Sequence, residues 1–237
     1  WHPNTVMVQA DVQWLDGSDV VASPRQVLKK QLTRLADAGM EAFVGTELEF
    51  ILFDNSYEDA WHRNYRDLTP SNTYNVDYSI IGTSRVEPLL RRIRLAMAES
   101  GLQVESAKGE CNLGQHEIAF LYESALKSCD NHVVYKTAAK EIAAQEGYAL
   151  TFMAKFNERE GNSCHIHLSF RGSGGEMVMT DPADAEHGMS DLGRQFIAGQ
   201  LAHMRDLSLL FAPNINSYKR FAPGSFAPTS IEWGRDN

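Results

Sequence analysis

The stretch GNSCHIHLSF, residues 161–170, places two histidines two positions apart in an otherwise apolar run. Side chains alternate across a β-strand, so residues two apart share a face. His165, His167 and Ser169 would therefore point in one direction. The opposite face would pack in a core and holds Cys164, Ile166, Leu168 and Phe170. The pattern predicts a strand with one apolar face and one polar face that could bind metal.

The surrounding sequence alternates between strand and helix patterns. Ser23, Pro24 and Gly39 are typical of a helix start and stop around one amphipathic segment. The irregular residues 54–85 predict a long loop, functional or mobile. The predicted strands cover 6–14, 43–53, 102–108, 115–122, 148–156 and 164–170, and the predicted helices cover 23–39, 86–101, 129–147 and 190–213. This order favours an α+β domain with a largely antiparallel sheet covered by helices.

Composition excludes several classes of function. The 237 residues carry a net charge of -9 without a basic stripe, so nucleic acid is not an expected partner. No apolar run approaches the roughly 20 residues that span a bilayer, and no secretory signal is visible, so we expect no membrane association. Three widely spaced cysteines indicate a reducing, cytoplasmic compartment. The chain begins at Trp1 and ends at WGRDN, and we expect it to be a piece of a longer protein.

Two further segments carry paired acids. Glu47 and Glu49 in GTELEF (45–50) share a strand face, and they would repel each other unless a positive charge lies between them. Glu110 and Glu117 flank a glycine-containing turn in KGECNLGQHE (108–117). Each motif alone has a simpler explanation. The acids could line a solvated face, and the histidines could be a satisfied core pair.

Taken together, three predicted strands present oxygen or imidazole groups opposite an apolar face. Several carboxylates with one histidine suit Mg²⁺ or Mn²⁺ rather than structural zinc, and there are enough of them for two ions. Paired hard cations stabilise phosphoryl transfer from a nucleotide. A metal–nucleotide enzyme therefore becomes a candidate. The chain contains no Walker motif, so ATP would bind in another way.

At this point the motifs resemble a known family. GTELEF, GECNLGQHE, GNSCHIHLS, NSYKR and WGRDN occur in the order and approximate spacing of the glutamine synthetase family. The resemblance implies a catalytic domain over residues 16–237, incomplete at its C-terminus, with a curved antiparallel sheet. Residues 1–15 would be the end of an N-terminal β-grasp domain that is mostly missing from this chain.

The resemblance also implies roles for single residues. In that family the motifs line a funnel that holds ATP and two or three Mg²⁺ or Mn²⁺ ions. One ion would be bound by Glu49, Glu110 and Glu117, and another by Glu47 and His165. Nucleotide contacts would come from Glu105, His167 (beside the phosphates), Ser169 and Tyr122, the last either stacking on the base or packing in the core. Arg220 and His167 would be the catalytic residues, and Arg220 would hold glutamate and the developing phosphate. Gly161 would approach the glutamate closely.

The implied reaction activates the γ-carboxylate of glutamate as an acyl phosphate, which an amine then attacks. Family members that use ammonia carry a glutamate in the flap motif P-G-[YF]-E-A-P. Here the segment is PGSFAP (223–228), with Phe226 in that place. An aromatic wall suits the alkyl part of a larger amine such as ethanolamine or a polyamine. Glu160, where the family usually has asparagine, is a second departure near the glutamate site.

Two alternatives remain open from the sequence. Ammonia could still be the acceptor, with Phe226 only packing the flap. Alternatively, the protein could be an inactive member of the family with a structural or regulatory role, although the many acidic residues that repel one another would then have no physical purpose. The resemblance further implies a homo-oligomer, a dodecamer of stacked rings with sites between neighbouring subunits.

Overall fold

The computed structural model describes residues 1–234, and one long strand, β1 (Met40–Phe53), organises it. This strand pairs antiparallel with β3 (Gln115–Phe120) and the two-residue β4 on one side. On the other side it pairs antiparallel with β5 (Ala149–Thr151) and β6 (Cys164–Gly172). Strand β2 (Val104–Gly109) extends the sheet beyond β3. The predicted antiparallel sheet is confirmed.

Helices cover one face of this sheet. Leu48, Phe50 and Leu52 of β1 form the main core with the apolar sides of two helices, and Ile93 and Ile142 are fully buried there. These helices are α4 (Glu87–Glu99) and α5 (Ala125–Gln145). The remaining helices are α1 (Pro24–Asp37), α2 (Tyr57–His62), α3 (Ile80–Ser84), α6 (Asp191–Phe211) and α7 (Ile215–Tyr218). The α+β class is therefore confirmed, and the opposite sheet face is left for polar groups.

Several element predictions need correction. Residues 1–12 form no regular structure, and the strand expected at 6–14 is reduced to one isolated bridge between Gln13 and Asp19. The region 54–85 contains α2 and α3, each started by a serine whose hydroxyl accepts a backbone N–H. These short helices escape a periodicity search because local capping starts them. Helix α5 begins at Ala125, four residues earlier than expected.

The strand expected at 148–156 ends at Thr151. Beyond it, the Asn162 side-chain amide donates to the Thr151 and Met153 carbonyls, at 3.4 and 2.9 Å. The Asn162 amide thus occupies the two backbone carbonyls that would otherwise accept hydrogen bonds from a neighbouring strand. The predicted core face of β6 is also only partly correct. Phe170 is buried, but Cys164, Ile166 and Leu168 are exposed, because among the strands of residues 1–234 β6 has β1 as its one partner and lies at the sheet edge.

None of the helices in residues 1–234 is long and apolar enough to cross a membrane. The three cysteines are free thiols.

Candidate functional site

Strand register brings the predicted acids together on the face that the helices leave open. Glu49 lies directly opposite Glu117 in the β1–β3 pairing, and Glu47 lies opposite His165 in the β1–β6 pairing. Glu110 follows the end of β2, where its N–H donates to the Gln115 carbonyl at 2.9 Å. Three strands therefore deliver these side chains to one place, because an antiparallel register keeps opposite residues on the same face.

The ligand atoms form two groups that share one residue. Within each group, one oxygen or nitrogen atom per residue lies within 4.8 Å of the others. The first group is Glu47, Glu117 and His165, and the second is Glu49, Glu110 and Glu117. The sequence placed Glu117 with only one ion, whereas the geometry places it between both groups. That these residues are metal ligands stays a prediction.

The negative charge of the second group is only partly offset by Lys108, the neighbouring positive group. Burial raises the pKa of Glu110 to about 8, and the Glu49 and Glu117 carboxylates push in the same direction. Burial also raises the pKa of Glu117, although Lys108 acts against the shift. Carboxylates that resist ionisation when crowded are stabilised by a divalent cation placed between them. The donor set, all oxygen in this group, suits Mg²⁺ or Mn²⁺.

Glu49 is held in one orientation by neutral donors. Gln115 Nε2 donates to Glu49 Oε2 at 2.8 Å, and the Ser163 N–H donates to the same oxygen at 2.7 Å. The Ser163 hydroxyl donates to Oε1 at 2.7 Å. Sequence reasoning did not assign roles to Gln115 and Ser163. Their positions inside the motifs GQHE and GNSC were the available signal.

His116, which lies between these residues in sequence, faces the opposite side of the sheet. It is fully buried, and its ring lies 5.9 Å from that of Phe50 in the core. Burial lowers the pKa of His116 to about 4, so the ring is neutral at physiological pH. The sequence alone left its direction open, because a single histidine in a motif is compatible with either face.

The first group is partly open to solvent. His165 Nδ1 and His167 Nε2 lie 3.1 and 3.2 Å from the two oxygens of Glu47. The pKa of Glu47 lies below its ordinary value: burial acts to raise it, but the His165 hydrogen bond and the charges of His167 and Lys108 outweigh burial. Both imidazoles are more than half exposed and can therefore reach a bound ligand.

Two of the residues predicted to contact nucleotide, Ser169 and Tyr122, extend from His167 along the same face. Gly45 separates His167 from Tyr122, since a Cβ built on Gly45 would lie 3.8 and 3.6 Å from their Cβ atoms. Tyr122 is 55% exposed, which rules out the core-packing alternative, and its hydroxyl accepts from Arg171 at 2.9 Å. Ser169 is half-buried opposite Phe43. Glu105 is exposed at the β-bulge between Val104 and Ser106.

Arg220 lies near the start of β6, where its side chain packs against Gly161. A Cβ on Gly161 would lie 2.4 Å from Arg220 Cδ and 2.2 Å from the Ala154 carbonyl oxygen, so only glycine fits there. The Gly161 carbonyl accepts from Gln115, which also donates to Glu49. Arg220 is thereby linked to the acid cluster through two hydrogen bonds and one close packing contact.

The Arg220 guanidinium is only partly satisfied. Its Nε is buried and has no hydrogen-bond partner within residues 1–234, while Nη1 donates to the Ser225 carbonyl. Burial lowers the pKa of Arg220, and the Glu49 and Glu160 carboxylates act against that shift. An unpaired buried guanidinium N–H is costly unless a ligand supplies an acceptor. This is the behaviour expected of a residue that binds a substrate carboxylate or phosphate.

Phe226 lies on the flap segment beyond Arg220. It is 79% exposed and has φ of +56°, a backbone conformation that residues other than glycine and asparagine rarely adopt. Phe226 and Arg220 both line a cavity of about 640 Å³ that is also bordered by His165 and Phe221. The aromatic ring therefore faces open space and does not pack in the core. Of the terminal WGRDN motif, residues 235–237 lie outside the described part of the chain.

Comparison with known proteins gives a consistent result. Residues 21–237 match the family described as glutamine synthetase, catalytic domain. The chain is 65% identical over its whole length to gamma-glutamylethanolamide synthetase GlnA4 of Streptomyces coelicolor, covering 50% of that protein. It is 34% identical to the glutamate–isopropylamine ligase of a Pseudomonas species, covering 100% of this chain and 52% of that protein.

A solved structure described as apo GmaS without ligand superimposes with a TM-score of 0.79 at 29% identity. The match covers 89% of this chain and 48% of that one. This chain thus spans about half the length of the relatives it matches.

Proposed function

Because the chain belongs to the glutamine synthetase family, we propose that it is part of an ATP-dependent ligase that joins the γ-carboxylate of glutamate to an organic amine. The observation that carries the proposal is the convergence of two acid groups, sharing Glu117, on the sheet face beside Arg220. The names of two relatives, one a gamma-glutamylethanolamide synthetase and one a glutamate–isopropylamine ligase, support an amine other than ammonia.

Divalent metal and ATP are part of the proposal. Mg²⁺ or Mn²⁺ would be held by the two ligand groups and would offset the charge of nucleotide phosphates brought next to a carboxylate. The chain's own residues then divide the remaining tasks. Arg220 would hold the glutamate carboxylate and the phosphate that forms on it, and Gly161 would approach the glutamate closely. His167 would face the phosphates, and Tyr122 would stack on the base.

The amine half of the reaction depends on the flap. The attacking amine must lose a proton, and the acyl phosphate must be kept from bulk water so that it is not hydrolysed first. The Phe226 side chain offers no hydrogen-bond acceptor for ammonium, but its exposed ring can pack against an alkyl chain. We therefore infer that the acceptor carries carbon next to its nitrogen, and that ethanolamine, isopropylamine and polyamines are the first candidates.

The test is a substrate panel on the full-length protein. Phosphate release from ATP would be followed with glutamate and with ethanolamine, isopropylamine, putrescine or ammonia in turn, and the amide product would be identified by mass spectrometry. We expect turnover that requires an organic amine and at least tenfold lower kcat/KM with ammonia. Glu49→Gln should abolish turnover with every amine. Amine-independent ATP hydrolysis, or activity unaffected by Glu49→Gln, would refute the ligase.

A second variant tests the role of the flap directly. Phe226→Glu introduces the carboxylate that ammonia-using members of the family carry at this position, and Phe226→Leu is the matched apolar control. We expect Phe226→Glu to shift the ratio of kcat/KM values toward ammonia by at least tenfold, while Phe226→Leu keeps the preference for the organic amine. An unchanged ratio in Phe226→Glu would show that the ring only packs the flap and that other residues select the amine.

Assembly and location complete the proposal. We infer a homo-oligomer built of stacked rings, a dodecamer with sites between neighbouring subunits, and a cytoplasmic location. The exposed apolar side chains of Val6, Val8, Trp14 and Leu15 support contacts between subunits near the N-terminal segment. Free thiols on all three cysteines are compatible with a reducing compartment. Light scattering on the full-length protein would measure the number of subunits, and a monomer would refute the ring.

A further inference from the structure

Lys108 places a positive charge inside the acid cluster. It lies opposite Glu117 in the β2–β3 register, and its Nζ is 3.0 Å from Glu117 Oε1. Glu117 is the carboxylate that both ligand groups share. The Glu117 side chain is 2% exposed, whereas that of Lys108 is 28% exposed. The ammonium group therefore enters from the rim of the site and contacts its most central acid.

The loop preceding α3 keeps Lys108 in this place. The Lys108 ammonium lies 5.5 Å from the centre of the Tyr78 ring. The Tyr78 N–H donates to the Gly109 carbonyl at 3.0 Å. Val76 packs so closely on β2 that a Cβ on Gly109 would lie 2.6 Å from the Val76 carbonyl oxygen. The loop, the strand and the lysine are therefore one packed unit, and Lys108 is not a freely moving surface side chain.

A cation in this position must compete with any metal at Glu117. Two positive charges about 3–4 Å apart repel each other strongly in a partly buried site. A divalent ion at Glu117 must either displace the ammonium group or bind beside it, and both outcomes weaken binding. Without metal, the same ammonium offsets the mutual repulsion of Glu49, Glu110 and Glu117. Lys108 thus stabilises the clustered acids when no metal is bound and opposes metal binding.

We propose that Lys108 is a positioning residue that holds Glu117 in the metal-free protein and sets an upper limit on divalent-ion affinity. This inference rests on the proposed metal site. Its consequence is a lower affinity for divalent ions than the acids alone would give. It also explains why a lysine lies on a strand face that otherwise collects acids.

The test is calorimetric titration of the full-length, chelator-treated protein with MnCl₂ alone. We expect Lys108→Met to bind Mn²⁺ about tenfold more tightly than wild type, a difference of about 1.4 kcal/mol. Lys108→Arg, which keeps the charge, should bind as wild type does. Lys140→Met is the matched control, since Lys140 lies over the Phe152 ring on the helix-covered side of the sheet.

Thermal unfolding gives a second readout that does not depend on activity. We expect Lys108→Met to melt at a lower temperature than wild type in EDTA and to gain more from added Mn²⁺. If this variant does not fold in EDTA, folding restored by Mn²⁺ supports the role, and failure to restore it overturns the role.

The outcomes also separate the two levels of the proposal. Mn²⁺ binding to wild type with unchanged or weaker binding to Lys108→Met would overturn the role of Lys108 alone. If neither wild type nor Lys108→Met bound Mn²⁺, the metal site itself would be overturned, together with the role of Lys108.

Discussion

Removing one acid from the cluster should stabilise the metal-free protein. Glu110 has an ordinary pKa of 4.5 and is raised to about 8 by burial and by Glu49 and Glu117. In the unfolded chain it loses its proton near pH 4.5, whereas in the folded protein it keeps the proton until about pH 8. The folded state thus binds more protons between these values, and stability falls as pH rises through this interval.

The magnitude follows from the same two values. Each pH unit in the interval corresponds to about 1.4 kcal/mol, which sets an upper limit near 5 kcal/mol. Glu110 is half-buried, and solvent screening reduces this penalty to about 2–3 kcal/mol above pH 8. Glu110→Gln removes the penalty while keeping the size of the side chain. For a chain of this length, that gain corresponds to a rise in melting temperature of roughly 4–12 °C.

The assay is urea unfolding in EDTA at pH 5.5 and pH 8. We expect Glu110→Gln to exceed wild type by about 2–3 kcal/mol at pH 8 and by less than half of that at pH 5.5. With saturating Mn²⁺ the order should reverse, because the variant would lack one ligand of the proposed metal site. Glu105→Gln on β2, the strand that precedes Glu110, is the control, since Glu105 is exposed and should change stability little at either pH. No gain at pH 8, or an equal gain at both pH values, would refute the crowding of charge at Glu110.

Two further variants test the neighbouring contacts. Gly161→Ala should displace the Arg220 side chain, because the new methyl group would lie 2.4 Å from its Cδ, and the KM for glutamate should rise at least tenfold in steady-state kinetics. Gly199→Ala, with open space around its Cβ position, should leave that KM unchanged, and equal effects at both glycines would contradict the argument. His116 has its pKa lowered from 6.5 to about 4 by burial, so only the unfolded chain takes up its proton in mild acid. Wild type should therefore lose about 2 kcal/mol of unfolding free energy between pH 6.5 and 5 through this residue, and a matching loss in His116→Gln would contradict this assignment.

The strand patterns predicted which side chains share a face, because alternation is a local property of each strand. Once 43–53 and 164–170 are antiparallel neighbours, Glu47 and His165 lie on one face whatever their distant surroundings are. Glu110 lies after a strand end, so alternation does not set its direction, and its place depends on the turn that returns the chain to Gln115.

What the sequence could not show depends on contacts between distant segments. The exposure of Ile166 and Leu168 follows from the edge position of β6, which alternation does not encode. The hydrogen bonds from Gln115 and Ser163 to Glu49 require two loops to meet. The ion pair from Lys108 to Glu117 was equally hidden, because a lone lysine in a strand is ordinarily a solvated residue.

One carboxylate common to two ligand groups has a consequence for how the site fills. If the proposed ions bind, the first to reach Glu117 would use part of the negative charge that attracts the second, and the two ions would repel each other across a few ångströms. Occupancy should therefore show negative cooperativity, with a half-filled form that persists over a wide range of free Mg²⁺. The second ion would arrive most readily with its own anions, as the Mg²⁺ complex of ATP, so the cellular magnesium level would govern how much of the enzyme is ready to react.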